Sequence, residues 1–162
     1  MDTSRKIHTE ILVNGNLQGI FDSVATDPIL FPKFFRGFFP IVPSIEEIKI
    51  PEGESIREGL VRSIRLGDGS KIKERVLIHK SPETQKYEMA EMNFIQKLFL
   101  INMQGEFICS NKEKLVLVEW NYIFFPKETL ITKLAIPILV WSFRHAMENC
   151  LKNLKNYHEE KL

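Results

Sequence analysis

LVLVEWNYIFFPKETLITKLAIPILVWSFRHAMENCLKNL, residues 115–154, decides the fold, because its hydrophobic period changes partway along. From Leu115 to Phe125 the pattern alternates: Leu117, Glu119, Asn121 and Ile123 on one face, Val118, Trp120, Tyr122 and Phe124 on the other. A period of two is a strand, and Pro126 closes it. From about Glu128 the spacing approaches four. Ile136, Val140, Phe143, Met147, Leu151 and Leu154 form one helical stripe, and Leu130, Leu134, Ile138 and Trp141 form a second beside it in the first half. That first half is therefore expected to be covered on most sides, and the second half to be amphipathic. Pro137 is expected to kink or loosen the first half.

Working outward, residues 102–110 read as the strand preceding 115–125, joined over Asn111-Lys112-Glu113-Lys114. Residues 93–101 carry both helical and strand features, and pattern alone does not separate them. Further strands read at 41–50, 57–66, 71–79 and 85–92. Gly67-Asp68-Gly69-Ser70 signals a two-residue hairpin. At the N-terminal end, Ile7 to Val13 reads as a strand. Asn14-Gly15-Asn16 breaks it and offers an N-cap for a short helix reaching about Ala25. Asp27-Pro28 can start another turn, and residues 29–35 are expected to pack across one end of the sheet. The order is strand, two short helices, about six strands, one long helix. Strands grouped in sequence pair antiparallel, with helices on one face. The expectation is one α+β domain over residues 1–162, with a curved antiparallel sheet of six or seven strands around the final helix. Such a sheet leaves space beneath it if the inward side chains do not fill it.

Composition narrows the function. The chain has 22 basic and 21 acidic residues and a net charge of +1. No block of one sign appears, so composition shows no surplus from which to build the basic surface that many phosphate contacts require; a local patch stays compatible with it, and nucleic acid is not an expected partner. Cys109 and Cys150 are far apart and in no ligand-like spacing, and no His-x-x-x-His or Cys-x-x-Cys occurs. No disulfide, metal or cofactor is expected. Two reduced thiols fit a cytoplasmic protein. The first six residues are polar, without the apolar core of a signal peptide. Leu134 to Phe143 is about half the length of a membrane span and reads as a buried helix segment. Transient contact with a membrane surface stays compatible with the sequence, and the oligomeric state is not legible in it.

Several short motifs, in order, resemble the START-like superfamily in its polyketide cyclase/dehydrase and lipid-transport branch. They are Val13-Asn14 followed by Ile20-Phe21 and Asp27-Pro28; Gly59-Leu60-Val61-Arg62; Asp68-Gly69-Ser70 followed by Lys73-Glu74-Arg75-Val76; Tyr87; and Val118-Glu119-Trp120-Asn121-Tyr122 before Phe125-Pro126. The resemblance spans nearly the whole chain. It implies the SRPBCC-type helix-grip fold and a hydrophobic cavity. It leaves the ligand open, because members share shape more than activity.

Three charged residues are candidates for the site. Alternation puts Arg62 on one face with Leu60, Ile64 and Leu66. On a concave face its guanidinium must pair or meet a ligand anion. Glu74 shares its face with Ile72, Val76 and Ile78, whereas Lys71, Lys73 and Arg75 take the other. The abscisic acid receptors look similar here, and there the Glu of the matching motif faces the ligand. An ion pair with Arg62 across the hairpin is the structural alternative. Glu119 lies on the strand face with Asn121, and periodicity does not say whether that face is inside. If Glu74 and Glu119 share one apolar space, desolvation and repulsion raise at least one pKa and make acid–base chemistry available. Tyr87 could supply a hydroxyl. Phe34, Phe38, Ile138 and Trp141 are candidate apolar lining, with Ile64 and Val76 on the inward strand faces. His145 has no acid placed to orient it and reads as structural.

Three functions follow. The first is binding or carriage of an apolar small molecule, such as a lipid, an isoprenoid or quinone, or a polyketide, between sheet and helix. The second is a cyclase or dehydratase in which Arg62 stabilises an enolate and Glu74 or Glu119 moves protons. The third is a protein-interaction module whose cavity is filled by its own side chains.

Overall fold

A computed structural model describes residues 2–160; residues 1, 161 and 162 lie outside the described residues. The elements are β1 (Arg5–Val13), α1 (Leu17–Ala25), α2 (Phe31–Phe34), β2 (Ile45–Lys49), β3 (Val61–Leu66), β4 (Lys71–Lys80), β5 (Thr84–Glu91), α3 (Phe94–Phe99), β6 (Leu100–Lys112), β7 (Leu115–Pro126) and α4 (Leu130–Glu159). The seven strands form one antiparallel sheet in the order β1-β7-β6-β5-β4-β3-β2. The chain runs from β2 along the sheet to β7, and β1 returns to pair with β7. Helix α4 packs across the concave face. Register shifts in β4 beside Glu74 and beside Val76 add local twist to the sheet.

Local chemistry sets the boundaries. Asn16 caps α1, its side chain accepting from Gly19 N at 2.9 Å. Asp27 Oδ1 accepts from the amides of Ile29 and Leu30 and turns the chain into α2. Thr129 caps α4 by accepting from Thr132 N at 3.1 Å. Segment 93–101 resolves into a helix and the start of a strand. Asn93 and Gln96 form a reciprocal capping box, each side chain accepting from the other's amide.

Three expectations need correction. The strand expected from residue 41 begins at Ile45, because Phe38 and Val42 close a tight turn on each other. Gly37 permits that turn at φ 74°, and a Cβ there would lie 2.3 Å from Val42 O. The β3–β4 connection, residues 67–70, is longer than two residues. Leu66 N donates to Ser70 O at 2.9 Å, and Gly69 at φ 87° supplies the left-handed residue. Finally, the second stripe of α4 is not covered. Ile136, Phe143, Met147, Leu151 and Leu154 are buried, but Leu130, Leu134, Ile138 and Trp141 are exposed. The sheet and the short helices meet α4 from one side only, so its other apolar stripe points outward.

The middle of the concave face is closed by aromatic rings. Trp120 stacks on Phe107 with centroids 4.6 Å apart and meets Phe31 and Phe35 edge-on at 5.9 Å each. Space remains toward the end of the sheet near α3 and the first half of α4.

Candidate functional site

Arg62 and Glu74 are direct partners in the β3–β4 register, and both side chains point inward. They are 7% and 6% exposed. Arg62 Nη2 lies 3.4 Å from Glu74 Oε2, and Nη1 donates to Ala25 O at 3.3 Å. The Arg62 Nε has no hydrogen-bond partner among the described residues. The guanidinium also stands 5.7 Å from the centre of the Tyr87 ring. Burial raises the Glu74 pKa, and the neighbouring Arg62 charge only partly offsets that. Tyr87 lies next to this pair, and its hydroxyl accepts from Trp120 Nε1 at 3.0 Å. Burial raises its pKa well above that of a free phenol.

Two neighbouring spaces lie under the sheet, and the inner one reaches this group. The outer one is about 260 Å³, and Gln96 is its sole polar lining residue among the described residues. Its walls come from the 41–43 loop, α3, β6 and α4, with Ile95, Met103, Ile136 and Phe143 among them. The inner one is about 70 Å³ and reaches Glu74, Tyr87 and Trp120. Val42, Pro43, Gln96, Met103 and Phe143 line both. The result is an apolar recess whose inner end meets one carboxyl.

The expected site residues divide accordingly. Glu74 and Tyr87 line the inner space, and Ile138 lines the outer one. Arg62 sits behind Glu74 and holds it. Ile64 and Val76 are fully buried but line neither space. Phe34 packs on Tyr157 at 5.3 Å, and Phe38 meets Trp141 edge-on at 5.3 Å. His145 Nδ1 donates to the Trp141 carbonyl at 2.9 Å, within its own helix.

Glu119 and Asn121 lie on the opposite face of the sheet, contrary to an inward placement. Val118, Trp120, Tyr122 and Phe124 take the inside of β7. Outside, Asn121 Oδ1 pairs with His8 Nδ1 at 2.6 Å, and His8 Nε2 pairs with Glu10 at 3.0 Å. These two contacts raise the His8 pKa. His8, Glu10 and Glu119 offer ligand atoms within 4.8 Å of one another. Both His8 nitrogens are already engaged, with Asn121 and with Glu10. The two-carboxylate arrangement is therefore not assembled in the recess. The thiols are no nucleophiles either: burial pushes Cys109 up to about 12 and Cys150 higher still.

Sequence patterning missed most of the recess, including Met103, Phe124, Leu139 and Phe143. It also missed Gly105. A Cβ there would lie 2.3 Å from the Tyr87 ring and hydroxyl, so the glycine makes room for Tyr87 to lie over β6.

No family model matches the chain, and no curated protein matches it. Solved structures do. The major latex-like protein 151 of Panax ginseng superposes with a TM-score of 0.73 at 13% identity, covering 96% of this chain and 97% of that one. The XoxI protein of Bacillus cereus gives 0.65 at 21% identity, covering 96% of each. A point mutant of norcoclaurine synthase from Thalictrum, in complex with a transition-state analogue, gives 0.64 at 15%, covering 98% and 96%. The chain thus has the same helix-grip fold as these proteins, a curved antiparallel sheet around a long C-terminal helix. At these identities the likeness is one of fold.

Proposed function

We propose that this protein binds one apolar small molecule in the recess between sheet and α4. The observation carrying the reading is an outer space of about 260 Å³ walled by aliphatic and aromatic side chains, sharing five lining residues with an inner space that meets Glu74. Ligand sites combine these features: a mostly apolar wall and few polar groups that fix orientation. The volume lies near the low end for ligand pockets, about 300–1,000 Å³. It suits one acyl or prenyl chain or a compact ring system better than a two-chained lipid. A hydroxyl at one end of the ligand would donate to the Glu74 carboxylate. Carriage or storage fits better than catalysis, since Arg62 is committed to Glu74 and Ala25, and Glu119 lies outside.

Binding only to the folded state raises its stability. At a free ligand concentration about 100 times the dissociation constant the gain is about 2.7 kcal/mol. For a domain of this size that is a Tm rise of about 5–10 °C. Delipidated protein screened against single-chain fatty acids, prenols, quinones and aromatic polyketides should show such a rise with one class. Native mass spectrometry should show the same class as a one-to-one adduct. No shift and no adduct across the panel would overturn the reading.

A further inference from the structure

Exposed large apolar side chains are normally scattered. Here they gather at one end. Among the described residues thirteen are exposed, and eleven of them fall in residues 36–44, 93–101 and 127–141. Those segments are the turn before β2, helix α3 with the start of β6, and the first half of α4. All three contribute walls to the outer space, so the apolar residues form its rim. Ile131 and Leu134 are each 70% exposed and Phe94 is 73% exposed, and none of the three touches the recess. Of the most apolar 18-residue stretch of α4, only 28% is buried.

Charge is also unevenly placed. These three segments hold four basic residues, Arg36, Lys97, Lys127 and Lys133, against the single acid Glu128. The rest of the chain holds 18 basic and 20 acidic residues. All five of these rim charges are exposed. Apolar side chains flanked by basic ones match the boundary of an anionic bilayer, where the first enter the acyl region and the second meet the headgroups.

We infer that this rim docks on an anionic membrane surface with the mouth of the recess facing the lipid. A second copy or a protein partner could cover apolar side chains too. A second copy would set the same basic excess against itself, and either occupant would cap the opening through which a ligand must pass. Docked on a bilayer, the mouth joins an apolar phase, so an apolar ligand crosses no water. The purpose of the surface rests on the pocket reading; its existence does not.

The test is flotation of the full chain with phosphatidylcholine vesicles containing about a third phosphatidylserine, against phosphatidylcholine alone. Binding should be at least about tenfold tighter to the anionic vesicles and should weaken with salt. Trp141, 54% exposed on the rim, should shift its emission to shorter wavelength on binding. Combining Ile131→Glu and Leu134→Glu should lower binding at least about tenfold. Tm should stay unchanged, because both side chains are exposed. An apolar fluorophore titrated into the same samples without vesicles reports the recess separately. Retained fluorophore with no vesicle binding by the wild type would overturn docking alone. Vesicle binding without fluorophore would uphold docking and remove the pocket reading. Equal vesicle binding by wild type and variant, or a wild-type dimer that buries Trp141 without lipid, would overturn docking.

Discussion

Replacing Glu74 with leucine should destabilise the fold by about 3–5 kcal/mol, the range for leaving one charge of a buried pair without its partner. Arg62 would keep only the Ala25 carbonyl and the Tyr87 ring, in a place where 7% of its surface reaches water. A guanidinium cannot neutralise itself by losing a proton. The reverse change is milder, because Glu74 can take up a proton when Arg62 becomes leucine. That asymmetry has a pH signature. Burial already holds the folded pKa of Glu74 above the usual carboxylate range. The folded state therefore binds more protons than the unfolded state between the unfolded and folded pKa values, and stability falls as pH rises through that window. In Arg62→Leu the lowering influence of the guanidinium is gone, so the window should extend to higher pH. The slope should approach about 1.4 kcal/mol per pH unit for one proton. The double Arg62→Leu, Glu74→Leu variant should recover most of the stability and lose that slope. Urea unfolding from pH 4 to pH 8 measures all three variants. Equal costs for the two single variants, with no difference in slope, would show that the pair is not buried as described.

Gly105→Ala should be nearly as damaging, at about 2–5 kcal/mol from overpacking and a lost buried hydrogen bond. The added Cβ would stand 2.3 Å from both Tyr87 Cζ and the hydroxyl. The ring has to leave, and Trp120 Nε1 loses its partner. Because Tyr87 also walls the inner space, the variant should bind apolar ligands less well. In a Tyr87→Ala background the same glycine change should cost little. A double-mutant cycle by denaturant unfolding gives the coupling. Additive costs would mean that Gly105 matters for its backbone and not for Tyr87.

The parts of the fold legible in sequence were those where one face of an element differs from the other. On β4, Lys71, Lys73 and Arg75 against Ile72 and Val76 leave one assignment for Glu74, and the ion pair with Arg62 follows from the hairpin. On β7 both faces are apolar enough to be buried, so alternation could not choose between Glu119 and Trp120. Tertiary packing chose Trp120, and Glu119 and Asn121 face His8 and Glu10 of β1 instead. The second stripe of α4 failed for a related reason. Periodicity counts apolar positions, but it does not say whether anything is there to cover them. Segment 93–101 was readable in principle, because Asn93 followed by Gln96 is a capping-box signature ahead of an apolar run. The recess itself was not. It lies between elements distant in sequence, and its shape depends on how far α3 and α4 stand from β6, which no local pattern records.

The claim that the recess holds the ligand is tested most directly by filling it. Ala135 is half-buried on α4 and lines the outer space, so phenylalanine there would occupy it with little disturbance to the core. Titration of delipidated protein with a neutral apolar fluorophore should give saturable one-site binding in the wild type. In Ala135→Phe that binding should be at least about tenfold weaker at unchanged Tm, since the ligand loses its apolar contact area. Equal affinity in the two proteins would place the fluorophore elsewhere and contradict the account.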